Sequence, residues 1–234
     1  LLTNVTSGFP EATKAVQTRV VLERMEAALG LLGLSFNDVV RTWFFLDEIL
    51  RWYDVFNRVR TQFLTERLLL SRMPASTAVG PSLEGNSALL AGLLALRPES
   101  KSASVFPVPS PAQGSAFDYG SSFSRAMEVN WSGGKRLYVS GTASIDAVGR
   151  TLHPGDLPAQ VDETLRIVGD LLDSRGFSFG EVTKGICYLA QDDDGSVARV
   201  AEYFPLELST LQASICREDL KFEIELVAER KHVG

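Results

Sequence analysis

The sequence predicts an α+β fold of two tandem ββαβαββ modules, with their sheets packed into a barrel-like core. Three observations predict it. First, residues Val16 to Leu46 overlay Ala159 to Leu189 without a gap. Gln17 falls on Gln160, Leu22 on Leu165, Leu29 on Leu172, Gly33 on Gly176, Ser35 on Ser178, Phe36 on Phe179, Val39 on Val182 and Leu46 on Leu189. About a quarter of the window is identical, and internal repetition fixes an architecture before any other signal. Second, each copy alternates helical stripes with short runs of β-branched and aromatic residues. Third, the strand at Val39 to Leu46 is apolar on both faces. A sheet with helices on one side needs only one apolar face, so a second sheet must cover the other.

In the first copy a helix is expected from about Ala12 to Leu32. Leu22, Met25, Leu29 and Leu32 give the 3, 4, 3 spacing of one buried stripe, and Gly33 ends it as a cap. Asp38 to Leu46 reads as a strand, with Val40, Phe44 and Leu46 on one face and Val39, Trp43 and Phe45 on the other. Glu48 to about Thr65 returns to helical spacing. Ser76 to Val79 and Ala88 to Leu96 read as two strands. Ser100 to Gly114 carries Pro107, Pro109 and Pro111 among serines, which is linker composition.

The second copy is more complete. Ser124 to Val129 and Arg136 to Ser144 form a hairpin around Ser132-Gly133-Gly134. A loop with His153, Pro154, Gly155 and Asp156 leads into a helix from Leu157 to Arg175, striped by Val161, Leu165, Val168 and Leu172. Val182 to Leu189 is a strand, Ser196 to Phe204 a helix, and Leu211 to Ile215 and Lys221 to Ala228 are the last strands. The first copy lacks the opening hairpin, and since the chain opens on Leu1 an N-terminal segment is expected to precede it. The expected organisation is a degenerate module acting as scaffold over residues 1–99, a linker over 100–120, and a module carrying the site over 121–234.

The chain has 234 residues, 45% of them hydrophobic, and a mean hydropathy close to zero, as in a globular protein with ample core. A net charge of −6 disfavours nucleic acid, which wants a basic face. Cys187 and Cys216 make no disulfide framework, so a cytoplasmic, reducing setting is expected. No apolar run reaches membrane-spanning length, and no membrane partner is expected. Two distant histidines, His153 and His232, and two distant cysteines do not make a zinc site. Asp192 to Gly195 lacks the ligand spacing of a calcium loop and reads as a solvated turn. No phosphate loop or nucleophile elbow is present. No metal and no cofactor is implied.

Several residues could carry chemistry. Glu223 and Glu225 alternate with Phe222, Ile224 and Leu226, so both carboxylates share one face of the last strand. Either that face is solvated, or it points between the sheets. There burial raises a carboxyl pKa and suits it to general acid work. The matching stretch of the first copy, Leu89 to Ala95, has no carboxylate. Arg125 is either a surface residue or a fork for a substrate carboxylate. Tyr119, just upstream, either packs or donates to the same ligand. Gly141 inside a strand marks a bulge or a close approach to ligand, with Thr142 as a hydroxyl and Ala143 as a small wall. Cys216 beside Arg217 is either buried and inert, or a thiol lowered by neighbouring charge.

The run Gly176-Phe-Ser-Phe-Gly-Glu-Val-Thr-Lys with the closing Phe222-Glu-Ile-Glu-Leu resembles the Rid/YjgF superfamily. Gly33-Leu-Ser-Phe-Asn-Asp-Val-Val-Arg-Thr followed by Pro74-Ala-Ser-Thr is similar to the same pattern. The resemblance implies the chorismate-mutase-like α+β unit, assembled as a homo-oligomer with a trimer favoured. A narrower resemblance is to the two-module chorismatases. It rests on Phe123-Ser-Arg-Ala, Ser140-Gly-Thr-Ala-Ser-Ile, His153-Pro-Gly-Asp, Gln160 with Asp162-Glu-Thr-Leu, and Cys216-Arg-Glu-Asp-Leu-Lys-Phe-Glu-Ile-Glu. The loop Ile145-Asp-Ala-Val-Gly-Arg-Thr departs from that pattern.

By this resemblance Glu223 and Cys216 are the catalytic residues, Glu223 as the acid and Cys216 in the pocket wall, Arg125 and Tyr119 hold a carboxylate, and Gly141, Thr142 and Ala143 line the substrate pocket. Cys216 points to the hydroxybenzoate-forming subclass and Ala143 to the hydrolytic one. The implied partner is a small carboxylated metabolite, and the implied reaction is removal of pyruvate from chorismate or a similar enol ether. Two other readings stand beside it, a Rid-type imine deaminase and a non-catalytic metabolite-binding protein. Rid deaminases carry an arginine where this chain has Pro74-Ala-Ser-Thr and Leu211-Gln-Ala-Ser.

Overall fold

The computed structural model describes residues 1–83, 87–98, 102–192 and 195–231. His232, Asp193 and Asp194, and the first two residues of the expected linker lie outside the described residues. The first half runs β1 (Leu2–Val5), α1 (Lys14–Leu31), β2 (Val39–Leu46), α2 (Tyr53–Glu66), β3 (Ala75–Val79) and β4 (Leu89–Ala95). The second runs β5 (Ser104–Val108), β6 (Ala126–Trp131), β7 (Gly134–Ala143), α3 (Leu157–Ser174), β8 (Val182–Leu189), the short α4 (Ala198–Ala201), β9 (Ser209–Gln212) and β10 (Phe222–Lys231).

The repeated residues do the same structural work twice. Gly33 and Gly176 leave their helices at φ +67° and +66°, a left-handed conformation that glycine adopts without strain. A capping box follows each. The Ser35 N–H donates to Asp38 at 2.7 Å and the Ser178 N–H to Glu181 at 2.9 Å, which aims the chain into β2 and β8. The buried amide of Gln17 ties the Pro10 and Ala12 carbonyls to the Ala88 N–H, just before β4. Gln160 ties the His153 and Asp219 carbonyls to the Lys221 N–H, just before β10.

The strands form a four-stranded sheet, β1-β4-β2-β3, and a six-stranded sheet, β5-β6-β7-β10-β8-β9. Val21, Leu22, Met25 and Leu29 of α1, with Phe56 and Phe63 of α2, pack on Phe44, Leu46, Leu89 and Leu93 of the first sheet. Val161, Leu165, Val168 and Leu172 of α3 pack on Ile224 and Leu226 of the second. Leu32, expected in the first stripe, lies past the end of α1 and is exposed. The two remaining sheet faces meet each other through Val79, Ala143, Tyr188 and Ile215, and through Val40, Ala75, Met127 and Tyr138. The layers therefore run helix, sheet, sheet, helix.

The sheets pack face to face as expected, as a pair of open sheets and not a closed barrel. They are stitched at β3 by isolated bridges, Ala75 to Ser124 and Gly80 to Ser214. Three expectations are corrected. The proline-rich stretch is not wholly linker: Ser104–Val108 pairs with β6, Pro107 being tolerated on an edge strand that can spare its N–H. The first half keeps one strand of the hairpin it was expected to lack, since β1 pairs with β4 as β7 pairs with β10. Finally, a register shift between Val39 and Arg41 breaks the alternation of β2. Val39 then packs with Phe44 and Leu46 under the helices, while Val40 lies between the sheets.

Candidate functional site

A cavity of about 890 Å³ opens where the two halves meet. Gly141 and Ala143 of β7 and Glu223 of β10 line it from the second sheet. Tyr53, Asn57 and Arg60 of α2 line it from the first half. Tyr119 and Arg125 close one side, and Cys216 and Arg217, after β9, another.

Glu223 enters the cavity because β10 alternates. Ile224 packs towards α3, so its neighbours face the other sheet. Glu223 and Glu225 are each 6% exposed, which removes the solvated alternative for both. Burial pushes the Glu223 carboxyl up to about 8, with Glu225 pushing the same way and Arg41 against it. Glu223 therefore holds its proton at neutral pH, the state a general acid needs. Gly141 makes room for it: a β-carbon there would lie 1.9 Å from Glu223 Oε1.

Four guanidiniums line the cavity. Arg58 pairs with Asp54 at 2.7 Å, and Arg60, Arg125 and Arg217 are ion-paired with no carboxylate among the described residues. Arg125 is buried, and its Nε and Nη2 both donate to the Gly114 carbonyl, at 3.0 and 2.8 Å. Arg217 donates to the Gly149 carbonyl. The Tyr119 ring lies 5.4 Å from the Arg125 guanidinium and 5.6 Å from that of Arg217, a cation–π arrangement that holds both cations near the mouth. Gly149 permits this packing, since a β-carbon there would meet the Tyr119 ring at 2.5 Å. Arg60 is 3% exposed. Its Nη2 donates to Asn57 at 2.7 Å, but its buried Nε has no partner. Burial lowers its pKa, which marks a cation held without full compensation. Unopposed buried cations favour an anionic ligand.

Six of the seven sequence-predicted site residues line this one cavity: Glu223, Cys216, Arg125, Tyr119, Gly141 and Ala143. Thr142 does not. It pairs with Ile224 on the helix-packed face, and its hydroxyl donates to the Ser140 carbonyl. A strand that presents Gly141 and Ala143 to the cavity must turn Thr142 away. Cys216 is present but not as an activated thiolate. Burial pushes it up to about 12, with Glu223 adding to the rise and Arg217 opposing it, so desolvation outweighs the adjacent cation. His153 sits at φ +53° on the approach to α3, its carbonyl held by Gln160.

The expectation that the first half is scaffold alone is also corrected, because Tyr53, Asn57 and Arg60 come from it. Their 4, 3 spacing on one helix face is a polar stripe amid Phe56 and Phe63, a signal the sequence did contain. Burial pushes Tyr53 up to about 12 and raises Tyr119 as well, so both phenols remain hydrogen-bond donors. Arg41 was missed too. It lies 2.7 Å from Glu225 across the sheets.

The model of the family described as endoribonuclease L-PSP matches residues 114–230. Among solved structures, a chorismatase superposes with a TM-score of 0.80 at 24% identity, covering 97% of this chain and 73% of that one. A Rid-family protein of unknown function from Yersinia pestis has a TM-score of 0.46 at 20% identity and covers 54% of this chain and 100% of that one. Yeast Mmf1 has a TM-score of 0.42 at 18% identity, covering 53% and 98%. The chorismatase likeness extends across both halves and shows their common fold.

Proposed function

This chain belongs to the endoribonuclease L-PSP family, within the Rid/YjgF superfamily, and from that premise we propose that it removes pyruvate from a small dicarboxylate enol ether, chorismate being the type substrate. One observation carries the reading. Glu223 is a carboxyl kept neutral near pH 7, facing a cavity in which three of the four lining arginines, Arg60, Arg125 and Arg217, have no carboxylate partner among the described residues. A substrate with two carboxylates would supply the missing charge.

In this reaction Arg125 and Tyr119 hold one carboxylate and Arg60 with Tyr53 the other. Glu223 gives its proton to the methylene carbon of the enolpyruvyl group. That carbon becomes a methyl, and the ether carbon becomes an oxocarbenium centre facing the newly charged Glu223. Water adds to this centre and returns a proton to Glu223, leaving a hemiketal whose hydroxyl proton passes to the ether oxygen. Cleavage of the ether bond then frees pyruvate. Ala143 and Cys216 act as neutral walls beside the ring.

The proposed setting is a homo-oligomer, a trimer by the resemblance, in a reducing cytoplasm that suits the free Cys187 and Cys216. Sedimentation velocity tests the assembly. Incubation with chorismate, followed by mass spectrometry of pyruvate and hydroxybenzoates, tests the reaction. Pyruvate release that is lost in Glu223→Gln is expected. No product, with Glu223→Gln indistinguishable from the parent, would sink the reading, and ammonia released from imines instead would favour deamination.

A further inference from the structure

The two glutamates of β10 share a face but not an environment. Glu225 accepts Nη2 of Arg41 at 2.7 Å and the indole Nε1 of Trp43 at 2.8 Å, both from β2 in the other half. Arg41 is itself fixed, donating also to Thr77 Oγ1 at 2.7 Å and to the Val139 carbonyl. Thr77 Oγ1 accepts in turn the Gly141 N–H at 3.1 Å, beneath Glu223. Arg41 and Glu225 side chains are 2% and 8% exposed. A guanidinium so deeply buried needs an opposing charge, and Glu225 is the carboxylate placed to give it.

Glu223, two residues away on the same face, has no ion-pair partner among the described residues. Tyr188 lies opposite it on β8. Tyr53 and Arg60 face it from α2, which also lines the cavity with Asp54, Arg58 and Glu66, and Cys216, Arg217, Tyr119 and Arg125 stand around the rest. Of these two neighbouring carboxyls, Glu225 is given a guanidinium and an indole N–H, and Glu223 neither.

We propose that Glu225 is a positioning residue for the acid: held in place by Arg41 and Trp43, it keeps the proton on Glu223. The proposal rests on the reading of Glu223 as general acid. In it the first half of the chain, through β2, sets the protonation state of a group on the last strand of the second. Burial already favours the acid form; Glu225 adds to it and Arg41 opposes it.

The test titrates Glu223 directly in the ligand-free full chain. Carboxyl NMR with isotope-labelled glutamate reads the midpoint, the Glu223 signal being identified by its absence in Glu223→Gln. The parent midpoint is expected at about 8. Glu225→Gln should lower it by about one pH unit or more, and Glu225→Asp should keep most of the elevation. Because Glu225→Gln strands the Arg41 charge, the pair Arg41→Met with Glu225→Gln is measured beside it. There the midpoint should also fall, but by less, since Arg41 no longer pulls it down. A parent midpoint near an ordinary carboxylate, or a midpoint unmoved in both variants, overturns the proposal. A lowered midpoint without any pyruvate release would sink the reaction and leave the role of Glu225 standing. Pyruvate release with an unmoved midpoint would do the reverse.

Discussion

Gly141 lies so close beneath Glu223 that a β-carbon at position 141 would come within 1.9 Å of the carboxyl Oε1. The backbone of β7 thus fixes where the acid of β10 can stand. Gly141→Ala must push the carboxyl aside, and a displacement of about 1 Å from productive geometry costs roughly a hundredfold in rate. Pyruvate release should fall by about that factor. The melting temperature should move only slightly, because the clash is with the movable end of a side chain. Unchanged turnover would show that the carboxyl tolerates the shift.

The proton on Glu223 has consequences for both activity and stability. Its folded value is about 8 against roughly 4.3 in an unfolded chain. Between these values the folded state binds the extra proton. This contribution to stability is therefore complete below about 4.3 and is lost as pH rises through about 8. Turnover should decline over the upper part of the same window. Denaturant titrations across pH should show a falling slope in the parent that Glu223→Gln flattens. A slope identical in both chains would contradict the assignment.

Arg60 presents a buried cation whose Nε lacks a partner. Arg60→Met should leave the melting temperature unchanged or higher, since removing an uncompensated buried charge is tolerated. It should weaken a dicarboxylate ligand by about 1.5–3 kcal/mol, roughly ten- to a hundredfold in Kd. Calorimetry with a non-hydrolysable dicarboxylate reads both directions. Equal affinity in the variant would place the second carboxylate elsewhere.

Cys216 should behave as a neutral wall. Its thiol is pushed up to about 12, so at neutral pH alkylation should be slower than for an ordinary cysteine. Cys216→Ala should keep turnover within about tenfold of the parent, a loss of no more than about 1.4 kcal/mol in the barrier. Abolished turnover combined with fast alkylation would instead make the sulfur a nucleophile.

The parts that were legible in the sequence are those whose causes are local. The stripes of α1 and α3 follow from spacing, the helix ends from Gly33 and Gly176, and the turns into β2 and β8 from Ser35–Asp38 and Ser178–Glu181. The matched pair Gln17 and Gln160 had no evident reason in the sequence. The structure gives one, because each amide bridges the approach to its helix and the start of the last strand of its module. Glu223 stood out because alternation set its face and the first copy lacked it. Thr142 was misassigned although the same alternation excluded it once Gly141 and Ala143 were placed.

By itself the sequence determined the repeat, the order of the elements and the strand that carries the acid. These depend on contacts between near neighbours, which period and capping express. Only the tertiary structure decided that the sheets stay open and face each other, that Arg60 and Tyr53 complete the cavity, and that Arg41 meets Glu225. The reason is physical. Arg41 and Glu225 are 184 residues apart, and an arginine in a strand has the same local signature whether it faces water or a buried carboxylate. Desolvation, which raises Glu223 and Cys216 and leaves Arg60 uncompensated, exists only once the two faces have closed on one another.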